Sequence, residues 1–294
     1  MTNRHLLMLF ALAAIWGSSF IFIRLALPHF GPVPLSAVRS LIGALALAPL
    51  LIGAGRLQLI RNYWGHLLVI GIISTALPFL FLTLSTKYTS AGFASILNAL
   101  TPICSALIGW VWIKDRPSLP ATIGIALGFI GVFVMVLDKK TINSNFPLMP
   151  VLAGLGATFF YGLTGFYSRR FLNGIPSTVL SAGSQVSAAL CMLPFALLQW
   201  PDTTIPAQGW LLAAVLGILC TGIAFIMYFH LLETVGVTRT VIVTYLIPVF
   251  ALLWAKLFLD ELITMKMLIG AALIITGIGL TTQTTMKKPA EAKA

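Results

Sequence analysis

The sequence predicts an all-α, polytopic membrane protein with ten transmembrane helices built from two inverted five-helix repeats. Three observations carry that prediction. Hydrophobic residues make up 59% of the 294 positions and charged residues only 9%, where a soluble domain is about 25% charged. Apolar windows of spanning length recur along the whole chain. The chain also matches itself at a nearly constant offset, as set out below.

Crossing a hydrocarbon layer of ~30 Å takes ~20 apolar residues, and ten windows meet that length: 6–27, 34–54, 63–84, 91–112, 119–138, 148–169, 177–199, 209–230, 238–258 and 263–282. Their length and lack of strict alternation indicate helices rather than a barrel. Little remains for a soluble domain.

The first window follows Arg4, as a secretory leader would, but it is longer than a usual leader core and has a counterpart later in the chain. It carries Trp16 and Ser19 at its centre and Arg24 near its end, where a cation can snorkel. The second window carries Arg39 about a turn and a half inside its outer edge, placed to snorkel, to bind a substrate carboxylate or to meet a partner residue. Trp64, Trp200 and Trp210 mark window ends, as interfacial belt residues do.

The third window contributes Thr75 and Phe79. In the fourth, Pro102 stands inside the helix and should release the carbonyl of Asn98. Asn98, Thr101 and Ser105 fall on one face by their spacing of three and four. Gly124, Gly128 and Gly131 form a small-residue strip in the fifth window. Gly270 and Gly277 repeat it in the tenth, a pattern suited to close helix packing or dimer contact.

The sixth window carries Tyr161 and Thr164, and the eighth carries Thr221 and Tyr228. The ninth carries Thr244, Tyr245 and a second internal proline, Pro248, expected to release the carbonyl of Thr244. Lys256 lies near the end of that window. Cys104, Cys191 and Cys220 lie in apolar windows and read as small core residues.

The repeat is direct. At an offset of 146, Trp64 faces Trp210, Gly71 faces Gly217, Thr75 faces Thr221, Phe79 faces Phe225 and Pro102 faces Pro248. Between 64–131 and 210–277 there are 15 identities in 68 positions, against about six expected by chance. Earlier segments match at 145, pairing Trp16 with Tyr161, Ser19 with Thr164, Arg24 with Arg169 and Pro49 with Pro194. The units are residues 1–140 and 147–284, joined near "DKKTINSNFPLMP", with 285–294 as a polar tail. Five is odd, so the second copy enters the bilayer upside down. Inverted repeats of this kind characterise secondary transporters, whose sites lie near the midplane where the halves meet.

The net charge of +11 is a topology signal before anything else. Ten Lys and Arg residues (Arg4, Arg56, Arg61, Lys114, Arg116, Arg169, Arg170, Lys287, Lys288 and Lys293) fall on the side of the termini. Lys87, Lys139, Lys140 and Lys266 fall opposite. That asymmetry predicts a multi-pass protein of the cell (inner) membrane with both termini cytoplasmic, and gives no reason to invoke nucleic acid.

These segments resemble the EamA family of the drug/metabolite transporter superfamily. The likeness rests on "AIWGSSFIFIR" in the first window, "TPICSALIGWVWIKDRPS" ending the fourth, and "IPVFALLWAKLFLDELIT" with "IGAALIITG" in the second copy. It covers nearly the whole chain. One departure is Lys114-Asp115 where the second copy has Asp260-Glu261. The resemblance implies ten helices, cytoplasmic termini and transport of small metabolites, often outward, amino acids among them.

The residues themselves point to alternating access around a central cavity between the repeats. Trp16, Ser19, Arg39, Thr75, Phe79, Asn98, Thr101, Tyr161, Thr164, Thr221, Tyr228, Thr244 and Tyr245 line that cavity in this reading, and Pro102 and Pro248 bend its walls. An aromatic lining with one arginine suits an amphipathic carboxylate such as an amino acid. All seven acids lie in loops, tails or window ends. Facilitated or exchange transport is therefore expected, with a proton-coupled antiporter as the alternative and a channel or membrane enzyme behind it. No metal-ligand cluster, nucleotide loop or Ser–His–Asp set is spaced for chemistry at membrane depth, so neither enzyme activity nor a cofactor is expected. The partners are a small-molecule substrate and the bilayer, in a monomer or homodimer.

Overall fold

The computed structural model describes residues 3–51, 55–114, 117–138, 148–235, 240 and 242–286. Asp115, Arg116, Lys139, Lys140, most of the linker and the tail from Lys287 onward lie outside the described residues. Ten rods make up the architecture. They are α1 (Asn3–Phe30), α2 (Pro32–Leu47, continued by a tight turn Ala48–Leu51), α3 (Arg56–Tyr88), α4 (Ala91–Asn98 and Thr101–Ile113) and α5 (Leu119–Val136). The second set is α6 (Leu148–Phe171), α7 (Ser177–Leu198), α8 (Ala207–Val235), α9 (Ile242–Leu259) and α10 (Met265–Met286). Eight are long and apolar enough to span a bilayer, and Val243–Leu259 and Met265–Thr281 are shorter apolar helices that complete ten.

Local chemistry explains the reversals. Gly31 holds φ 74 between α1 and α2, a conformation only glycine adopts without strain. Ser90 accepts a hydrogen bond from the N–H of Phe93 at 3.1 Å to start α4, and Ser118 accepts from Ala121 at 3.4 Å to start α5. Thr264, the counterpart of Ser118, accepts from Met267 at 3.2 Å to start α10 and donates its hydroxyl to Asp138.

The two halves interlock rather than stand apart. Helix α1 packs on α9, α6 on α4, α2 on α7 and α5 on α10. Matched glycines make the closest approaches. A methyl group added at Gly17 would lie 2.8 Å from the Cβ of Phe250, and one added at its counterpart Gly162 would lie 3.0 Å from the Ser105 nitrogen. A methyl at Gly71 would meet the Cβ of Ser187 at 2.5 Å, and one at Gly217 would meet the Cβ of Ile42, the counterpart of Ser187, at 2.5 Å. Gly124 abuts Gly277 and Gly131 abuts Gly270, a pair of contacts that exchange into each other when the repeats are swapped. The small-residue strips of α5 and α10 are therefore spent on each other within the chain.

The two proline sites differ. The fourth span breaks at Ala99–Leu100, and the hydroxyl of Thr101 donates to the carbonyl of Asn98 at 2.8 Å. In α9 the helix runs on through Pro248 from Ile242 to Leu259. The expected pair of equivalent breaks is thus a break and a continuous helix. Thr101 supplies a side-chain partner for the carbonyl that the proline frees, and its counterpart Ile247 has none to offer.

Candidate functional site

Helices α3 and α8 each contain one wide turn at the same point in the repeat, Ile72–Ala76 and Ile218–Ile223. Such π turns carry an extra residue per turn, leave carbonyls in need of other partners and recur at functional sites. Each follows the glycine that lets a neighbouring helix approach, Gly71 or Gly217. Thr221 donates its hydroxyl to the carbonyl of Leu216, five residues back, at 2.9 Å. In the other half the carbonyl of Ile73 accepts from Thr164 of α6 at 3.2 Å.

Arg39 of α2 meets the α8 turn. It is 6% exposed, so it does not snorkel to an interface as its position along the window allowed. The reason is its neighbours: α8 and α3 cover it from either side. Its Nε donates to the hydroxyl of Thr221 at 3.2 Å, and its guanidinium carbon lies 3.8 Å from the ring centroid of Phe79. The Tyr161 phenol and the Cys220 thiol lie within electrostatic range of the guanidinium. Three of the residues singled out from sequence, Phe79, Thr221 and Arg39 itself, thus converge from α3, α8 and α2, with Tyr161 of α6 within electrostatic range.

A guanidinium carries five N–H donors and no acceptor. Beyond Thr221, its remaining donors find no acceptor among the described residues, and no ion pair to it is found among them. A buried cation costs several kcal/mol when uncompensated. Phe79 recovers part of that cost through its ring face, on the order of 2 kcal/mol when desolvated.

A second group gathers between α1 and α8. Trp16 lies edge-on to Phe225 at 6.2 Å and tilted against Tyr228 at 5.3 Å. Ser19 turns its hydroxyl back to the carbonyl of Trp16 at 2.6 Å, and Thr75 is buried beside the hydroxyl of Ser74 at 3.2 Å. Asn98, at the break in α4, keeps a buried Oδ1 with no partner among the described residues. Tyr245 packs against the cluster built around Phe93, Leu100 and Met267, and Thr244 precedes it on α9. No hydrogen bond or ring contact joins Asn98 or Thr101 to the Arg39 group.

Among the other polar residues, Arg24 does more than reach an interface. Its Nη1 donates to the carbonyls of Thr86 at 2.7 Å and Thr89 at 3.0 Å, closing the end of α3. Glu261 accepts from the N–H groups of Ala91 at 2.8 Å and Gly92 at 3.2 Å, capping α4 from the α9–α10 loop. Several buried polar side chains were not singled out from sequence, and one of them is an amide. Gln185 of α7 is fully buried, and its only signal was a lone amide midway along an apolar window.

The EamA-like transporter family profile matches residues 3–137 and again residues 148–283. The chain belongs to that family. Its members are transporters, not enzymes. An uncharacterised transporter of Archaeoglobus fulgidus is 27% identical over 286 residues, spanning 96% of this chain and 98% of its own length. A probable terminal-alkyne amino-acid exporter of Streptantibioticus cattleyicolor is 26% identical over 281 residues, spanning 94% and 93%. A solved crystal structure superposes with a TM-score of 0.66 at 20% identity, covering 98% of this chain and 100% of that one, which shows a shared fold. This EamA-family chain is accordingly a multi-pass membrane transporter for a small molecule.

Proposed function

We propose that this chain is a secondary carrier for small amphipathic carboxylates, amino acids foremost, and that it works outward. The two repeats lie in opposite orientations, both termini face the cytoplasm of the cell (inner) membrane, and the halves alternate access to a central cavity. Arg39 carries the reading. A buried guanidinium with one hydrogen bond, an aromatic face beneath it and no acid beside it calls for an anionic partner, and a substrate carboxylate is a planar match for its fork. The aromatic neighbours Phe79 and Tyr161, with Trp16 and Tyr228 a helix away, suit the apolar part of such a substrate. The name of the Streptantibioticus relative supports the same substrate class. With no Asp or Glu at a helix centre, the substrate gradient drives exchange.

Counterflow of labelled amino acids in proteoliposomes tests this. The wild-type chain exchanges at least one amino acid saturably without an imposed pH gradient. Exchange that stops when pH is clamped overturns the uncoupled mechanism, and unchanged exchange in Arg39→Gln overturns the assigned role of the arginine. Tag accessibility at the two termini decides the topology, since tags on opposite faces are incompatible with it.

A further inference from the structure

We propose that Gln185 is a specificity-determining residue of this site, reading the part of the substrate head that Arg39 cannot. The inference rests on the carboxylate reading above and extends it to the group beside the carboxylate.

Gln185 is 0% exposed, and neither Oε1 nor Nε2 has a hydrogen-bond partner among the described residues. Burying an amide with both ends unpaired is unfavourable, and an apolar side chain would pack there without that penalty. Gly43 brings the carboxamide close to Thr221, the residue that Arg39 binds. Arg39 and Gly43 lie four residues apart on one face of α2, which packs on α7. A methyl group built at Gly43 would sit 3.5 Å from Oε1 of Gln185 and 2.7 Å from Cγ2 of Thr221. Thr221 in turn accepts from Arg39 at 3.2 Å. The missing side chain of Gly43 thus lets the amide, the threonine and the guanidinium share one surface.

Arg39 and Gln185 differ in what they can read. A guanidinium only donates, whereas a carboxamide also accepts. The head of an α-amino acid offers both kinds of partner. Its carboxylate takes the guanidinium, and its ammonium donates to Oε1 of Gln185. The same acid without its amino group leaves Oε1 unpaired. Gln185 therefore separates zwitterionic amino acids from plain carboxylates of equal size.

The test is counterflow by the full chain with matched pairs, leucine against 4-methylpentanoate and phenylalanine against 3-phenylpropanoate. The wild type favours the amino acid of a pair by about tenfold or more. Gln185→Leu loses that preference by losing the amino acid, while exchange of the deaminated acid stays within about twofold. The ligand-free Gln185→Leu protein melts about 2 °C or more above wild type, because two unpaired polar atoms are gone. Gln185→Asn keeps part of the preference, and Gln185→Met repeats the comparison if the leucine variant is not monodisperse. Equal loss of both members, no loss, or an evenly exchanging wild type overturns the inference and leaves the role of Arg39 standing. A wild type that exchanges no member of any pair overturns both.

Discussion

The two repeats share a scaffold and differ in chemistry. Glycines, wide turns and starting caps recur at matched places: Gly71 and Gly217, Ile72–Ala76 and Ile218–Ile223, Ser118 and Thr264. Even the left-handed residues ending α4 and α9 match, Lys114 at φ 58 and Asp260 at φ 47. The polar groups at the centre do not follow that rule. The counterpart of Arg39 is Ser184, that of Gln185 is Ser40, and both serines turn their hydroxyls onto their own helix, at 2.8 Å to Ser181 and 2.9 Å to Ser36. The scaffold is thus duplicated and the buried polar pair is not, and in the carboxylate carrier proposed above that asymmetric pair would set which way a bound head group points.

The largest effect expected from breaking that asymmetry is at Arg39. Arg39→Gln lowers exchange of carboxylates by about a hundredfold or more, the loss of a charge-assisted bidentate contact. Arg39→Lys keeps the charge without the fork and falls between. The paired substitution Arg39→Ser with Ser184→Arg moves the guanidinium to the matched position and recovers part of the exchange. Initial rates of counterflow measure all three.

Next come the scaffold contacts, where both halves should respond alike. Gly124→Ala and Gly277→Ala each drive a methyl group onto the facing backbone carbonyl, at 2.4 Å in either direction. Backbone cannot step aside as a side chain can, so each costs about 1–3 kcal/mol and lowers Tm by roughly 2–10 °C in a thermal melt. Similar drops in the two variants fit the matched scaffold, and a large difference between them breaks it.

A smaller effect is expected where the halves visibly diverge, at the break in α4. Thr101→Val removes the hydroxyl that takes the Asn98 carbonyl, costing about 1–2 kcal/mol, whereas Ile247→Thr in α9 offers a new hydroxyl at the same place. The first lowers Tm by a few degrees, and the second lowers it too, because Ile247 is buried in the core and loses apolar contact there.

The smallest effect belongs to Lys256–Asp260. The hydrogen bond and charge of Lys256, at 2.5 Å, hold Asp260 below its ordinary carboxylate range. A lowered acid stabilises above the unfolded pKa, and that support is lost as pH falls through the folded value, so any contribution disappears in acid below about pH 4. Both side chains are largely exposed, 50% and 90%. Asp260→Asn therefore shifts Tm by less than about 1 °C at neutral pH, and asparagine tolerates the left-handed backbone there.

Hydropathy and the self-match made the ten rods legible, because lipid forces each span to satisfy its own backbone, and the duplicated glycines marked close contacts without saying which helices meet. The wide turns were not legible. An inserted residue at Ile72–Ala76 changes neither hydropathy nor composition, and Thr75 and Thr221 stood out only as a matched pair. Counting from the edge of its window leaves Arg39 free to snorkel or to bind, since it says nothing of the helices that cover it. Gln185 went unnoticed for a related reason. The repeat set it against a serine, and its isolation shows only once α2 and α7 are packed. The two prolines mislead from sequence because the proline itself is identical and the residue before it, Thr101 or Ile247, decides the outcome.

The interlocking of the halves has a consequence for how the chain is made. Gly17 is sealed by Phe250, and Gly131 by Gly270, partners that leave the ribosome more than a hundred residues later. A first half released alone keeps those seams open to lipid, with bare grooves that fit any helix of small residues. Packing of the first five spans is therefore closed only once their partners in the second half have been made.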